Sequence, residues 1–108
     1  MSEIKMPAHY SINKIATLAD LLACFPTGEA DDLNFVMFGT SGIHGFYGSI
    51  AEVESGADDA ITVLVIQPRI VAMRYGHIKV GKEDAPALRK LAESTAKVLR
   101  QYADDQTA

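Results

Sequence analysis

Six consecutive residues, Ile61-Thr62-Val63-Leu64-Val65-Ile66, constrain this chain more than any other feature. β-Branched side chains are stiff at χ1 and pack well on a pleated surface, so the run reads as a strand. Its near-continuous apolar character places it inside a sheet rather than at a solvated edge. A second strand is read over residues 33–39, apolar on both faces from Phe35 to Phe38. Gln67-Pro68-Arg69 should turn the chain, because proline cannot donate to a central ladder. Residues 70–75 then return antiparallel, with Ile70, Ala72 and Arg74 on one face and Val71, Met73 and Tyr75 on the other. Gly76 is expected to bulge or bend this strand before Ile78-Lys79-Val80.

Helical spacing occupies the two ends. From Ser11, a suitable N-cap, the residues Ile12, Ile15, Ala16, Ala19, Leu22 and Ala23 recur every three or four positions, and Leu18, Leu21 and Phe25 broaden the apolar face. Pro26-Thr27-Gly28 stops this helix, and residues 29–32 make an acidic connector. Near the other end, Asp84 supplies an N-cap and Pro86 falls in the first turn. Leu88, Leu91, Ala92, Thr95, Val98, Leu99 and Tyr102 then form one stripe, with Arg89, Glu93 and Lys97 opposite. Asp104 and Asp105 oppose the negative end of the helix dipole, which predicts a frayed tail over 104–108. Residues 1–10 carry no periodicity and read as an arm. Residues 49–54 fit two states: Ser49-Ile50-Ala51-Glu52 matches a capping box, favouring a short helix, while Ala51 and Val53 alternate with Glu52 and Glu54 as in a strand.

These elements define an α+β class in a single domain over residues 1–108. The expected architecture is a small, mainly antiparallel sheet of three to four strands flanked by an N-terminal and a C-terminal helix, in the order α-β-(short α or β)-β-β-α. Two helices give little cover for strands that are apolar on both faces. A homodimer formed through a sheet face or through the broad N-terminal helix follows as an expectation.

Charge narrows the function classes. Ten Lys and Arg against fourteen Asp and Glu give a net charge of -4, and no basic cluster offsets it. Nucleic-acid binding, which draws on neutralising phosphates, is disfavoured. One cysteine, Cys24, cannot form an internal disulfide; with no signal-peptide pattern and no apolar run of membrane-spanning length, a cytoplasmic protein with no membrane contact is expected. The apolar neighbours of Cys24 predict a buried, inert thiol.

The polar candidate is the loop over residues 39–49, where an apolar strand empties into Gly39, Gly42, Gly45 and Gly48, with Thr40, Ser41, His44 and Tyr47 between and beside them. It matches neither a P-loop, nor a G-x-S-x-G elbow, nor a dinucleotide fingerprint, so no cofactor is expected. His9, His44, His77 and Cys24 show none of the paired spacings of a metal site. Ser41 and His44, three apart, are the catalytic candidates, with imidazole as base toward hydroxyl. As a ligand or anion site the loop would use Thr40, Ser41, His44 and Tyr47, with Arg69 or Arg74 adding charge. Weighed against these is a structural loop whose glycines supply turn geometry. The leading expectation is a small non-enzymatic accessory or regulatory protein acting through protein–protein contact as a homodimer. The second is a small-ligand or anion-binding domain, or a hydrolase-type enzyme, built on residues 39–49.

Overall fold

The structure, a computed structural model, describes residues 11–40 and 45–107. In chain order the elements are β1 (Ser11–Lys14), α1 (Leu18–Ala23), β2 (Phe35–Gly39), α2 (Gly45–Ser55), β3 (Ala60–Gln67), β4 (Ala72–Lys79) and α3 (Ala85–Thr107). The fold is α+β, with a mixed four-stranded sheet ordered β1-β4-β3-β2. β2 and β4 pair antiparallel to β3, and β1 pairs parallel to β4.

The strand over 61–66 is central, as its composition requires. Burial along β3 alternates, with Ile61, Val63, Val65 and Gln67 buried and Thr62 exposed. Val36, Phe38 and Ile78 lie on the same side as these buried residues, and Ile50, Val53, Leu88 and Leu91 of α2 and α3 join them in one core. Leu21 and Phe25 of the α1 segment belong to that core too. The helices therefore form one layer against one face of the sheet.

Several sequence expectations change. No long helix starts at Ser11. Residues 11–14 form an edge strand, and α1 is six residues long. Its start is set by Thr17 and Asp20. Asp20 N–H donates to Thr17 Oγ1 at 3.1 Å, and the N–H groups of Ala16 and Thr17 donate to Asp20 Oδ2, each at 3.1 Å. This reciprocal cap outcompetes the lone Ser11. The broad N-terminal helix face offered as a dimer surface is thus absent.

Residues 49–54 are helical, but α2 begins earlier, at Gly45. Ser49 is consequently interior rather than a cap. Burying Ser49, Ile50 and Val53 against the sheet outweighs the roughly 1 kcal/mol cost of glycine at position 48.

Gly76 makes neither bulge nor bend, since pairing runs unbroken from Ala60 opposite Lys79 to Gln67 opposite Ala72. The glycine is there for clearance: a Cβ at position 76 would overlap the carbonyl oxygen of Ile15, where the chain passes over β4. The turn before β4 takes the residues first assigned to that strand. Pro68–Ile70 form a 3-10 turn, and Val71 sits in the left-handed region at φ 50°.

At the other end α3 starts at Ala85 with Pro86 in its first turn. Asp84 is not its cap: Asp84 Oδ2 accepts from Gly81 N–H at 2.7 Å, closing the 3-10 turn Lys82–Asp84 that leads into the helix. α3 continues to Thr107, past the fraying expected at 104. An unfavourable dipole contact costs only tenths of a kcal/mol, less than a propagating helix gains.

Candidate functional site

The loop after β2 begins at a pinned end. Thr40 N–H donates to the buried Ser49 Oγ at 3.1 Å, and Thr40 Oγ1 donates to Glu52 Oε1 at 3.0 Å. Tyr47, on the first turn of α2, is exposed. Ser41 and His44 lie outside the described residues. The spacing of Glu52 seven residues into α2 puts a carboxylate against Thr40, so an acid does stand at this loop. A fixed negative charge here works against an anion, whatever the helix N-terminus offers.

The arginines are elsewhere. β2 runs from Phe35 opposite Ile66 to Gly39 opposite Thr62, so the glycine loop and the Pro68–Ile70 turn leave opposite ends of the sheet, roughly 17 Å of strand apart. Arg69 is exposed on that far turn. Arg74 is half-buried on the helix side, where its Nε donates to Gln67 Oε1 at 3.1 Å. The fold holds Thr40 against Ser49 and Glu52 and keeps Arg69 and Arg74 at a distance, while Tyr47 lies exposed on α2 near Arg89. Cys24 is buried, and that burial pushes its thiol up from the usual range. Its burial is what its apolar neighbours suggest.

The larger feature is the sheet face away from the helices. Register places its side chains in rows across the strands. The first row is Phe35, Ile66, Met73 and Ile12; the second is Met37, Leu64, Tyr75 and Lys14; the third is Gly39, Thr62 and His77; Ala60 and Lys79 follow. Two rows are apolar but for one lysine, and two are polar. Of the apolar pair, Phe35 is buried and Ile66, Leu64 and Met73 are half-buried, whereas Ile12 is 63%, Met37 41% and Tyr75 43% exposed. Met37 and Met73 both lie on this outward face. In the third row Thr62 Oγ1 and His77 Nδ1 share a hydrogen bond at 2.8 Å.

Comparison of the chain with protein-family models, with curated proteins and with solved structures gives no match. Among the described residues, no helix is long and apolar enough to cross a membrane, and no group of three or more His, Cys, Asp or Glu is placed to hold a metal ion.

Proposed function

We propose that this chain is a non-enzymatic accessory or regulatory protein that acts through protein–protein contact, and that it works as a homodimer joined through the outward sheet face. The observation that carries the reading is the pair of apolar rows from Phe35 to Ile12 and from Met37 to Tyr75, with three large side chains exposed on them. Contiguous apolar surface rimmed by polar residues is typical of interaction sites.

Size makes the expected dimer a weak one. Strands of four, eight, eight and five residues, at about 3.3 Å per residue and about 4.8 Å spacing, give a face of roughly 400 Å² in projection. Two such faces together bury roughly 800 Å², below the roughly 1,200 Å² of standard specific interfaces, so the dimer is expected to be weak and reversible. The two-row pattern suits a two-fold arrangement, in which the same patch must meet itself. The single buried cysteine fits a reducing compartment such as the cytoplasm.

The enzyme reading stands second. Its one favourable observation is Glu52 beside Thr40, a carboxylate that could orient a base on the loop.

Light scattering behind size-exclusion chromatography tests the proposal. The wild type should pass from the 11.7 kDa of one chain toward twice that mass as concentration rises. Met37→Glu, on an exposed position, should stay monomeric with an unchanged circular dichroism spectrum. A wild type that remains monomeric at every concentration refutes the dimer.

A further inference from the structure

β1 accompanies β4 only from Ala72 to Tyr75, whereas β3 accompanies β4 over its whole length. Ile15 N–H donates to Tyr75 O at 2.7 Å, the last bond between the two strands, and the chain then leaves over Gly76. That bond fixes the phase of the ladder. In a strand, backbone groups alternate sides, so those of Tyr75, His77 and Lys79 are directed toward β1, and those of Gly76 and Ile78 toward β3. Val80 N–H donating to Asp59 O at 2.9 Å agrees with this phase. Among the described residues, no strand lies beside residues 76–79 on the β1 side. A cavity of about 400 Å³ opens there, lined by Lys14, Ile15, Ala16, Thr62, Tyr75, Gly76 and His77. Its lining holds the Lys14 cation and the His77 imidazole, and the Asp20 carboxylate bonded to that lining is taken up by the N–H groups of Ala16 and Thr17.

We infer that this notch is a strand-accepting site for an extended, acidic segment of another protein. The segment lies in the lane that β1 vacates and exchanges backbone hydrogen bonds with His77, while one of its carboxylates meets Lys14. Open strand edges template pairing, and main-chain bonds supply the affinity in this mode of recognition. The pairing of both a donor and an acceptor at His77 favours a peptide over a small anion, which would use only donors. Thr62, hydrogen-bonded to the His77 ring at 2.8 Å, holds that side chain on the outward face and clear of the lane. The exposed lane is about four residues long, roughly 13 Å, which sets the length of the segment recognised. The site uses the edge of β4 and shares Lys14 and Tyr75 with the outward face, so it is tested in a variant that does not dimerise.

The test is amide NMR on the Met37→Glu variant, so that loss of dimerisation cannot be mistaken for loss of binding. The probe is a heptapeptide alternating valine with glutamate. Saturable shifts at the amides of His77 and Lys79 are expected. Affinity should fall roughly tenfold, equivalent to about 1.4 kcal/mol, in Lys14→Glu, and binding should vanish for a backbone N-methylated version of the peptide. Absence of shifts at His77 and Lys79, or equal binding of a version with lysine in place of glutamate or of the N-methylated peptide, overturns the assignment.

Discussion

The two faces of this sheet are made from the same strands and the same kinds of side chain, yet they have different fates. Val65 and Ile66 are neighbours on β3. Val65 is fully buried under the helices, and Ile66 is half-buried on the outward side. The difference lies in what each face has to meet it. α2 and α3 bring Ile50, Val53, Leu88 and Leu91 to one side, whereas the outward rows have no helix of the described chain against them. Stability should therefore reside on the helix side and association on the other.

Substitutions that separate the two faces give the largest expected effect. Leu91→Ala removes a fully buried side chain and should cost about 2–5 kcal/mol in denaturant unfolding. Leu64→Ala, on the outward face, should cost clearly less in the monomer and instead weaken the dimer. Equal losses in the two variants would erase the distinction.

Gly76→Ala comes next. Its methyl group meets the Ile15 carbonyl oxygen, and accommodating such overpacking costs about 1–3 kcal/mol. The damage should be confined to β1 and the passage to α1, with hydrogen-exchange protection lost over residues 11–16 and kept in β3.

Thr17→Ala removes the cap of α1, at about 1 kcal/mol, and sharpens the comparison by loosening one helix of the covering layer. The same cap gives a pH dependence. N–H donation from Ala16 and Thr17 holds the Asp20 carboxyl below its ordinary value. A lowered folded-state pKa favours the native state above the unfolded pKa. That contribution disappears as the pH falls through the folded value. Acid titration of stability should show a step below the normal aspartate range, and Asp20→Asn should remove it.

Much of this arrangement is legible in the sequence, and the exceptions have physical reasons. The β-branched run at 61–66 and the stripe from Leu88 to Val98 are local signals strong enough to survive tertiary context. β1 is not such a signal. It is four residues long with one apolar member, Ile12, and its partner Met73 lies far along the chain. Ile12, Ile15 and Ala16 meanwhile imitate a helical stripe. The start of α2 was hidden because Gly45 and Gly48 argue for a loop, while the burial of Ser49 and Ile50 that decides the matter is a property of the folded core. At the candidate site, two apolar faces per strand are visible in the sequence, but which face the helices would take is not. The contact between Thr40 and Glu52 and the notch at Gly76 arise from topology. Only the glycine at position 76, mistaken for a bulge, hinted that two backbones pass closely there.

A dilution series followed by methyl and amide NMR tests the central claim most directly. Between high and low concentration, the resonances of Ile12, Met37, Leu64, Ile66, Met73 and Tyr75 should move together along one monomer–dimer isotherm, while those of Leu88, Leu91 and Ile50 stay fixed. Spectra that do not change with concentration, or changes centred on α3, would contradict an association surface on the outward face of the sheet.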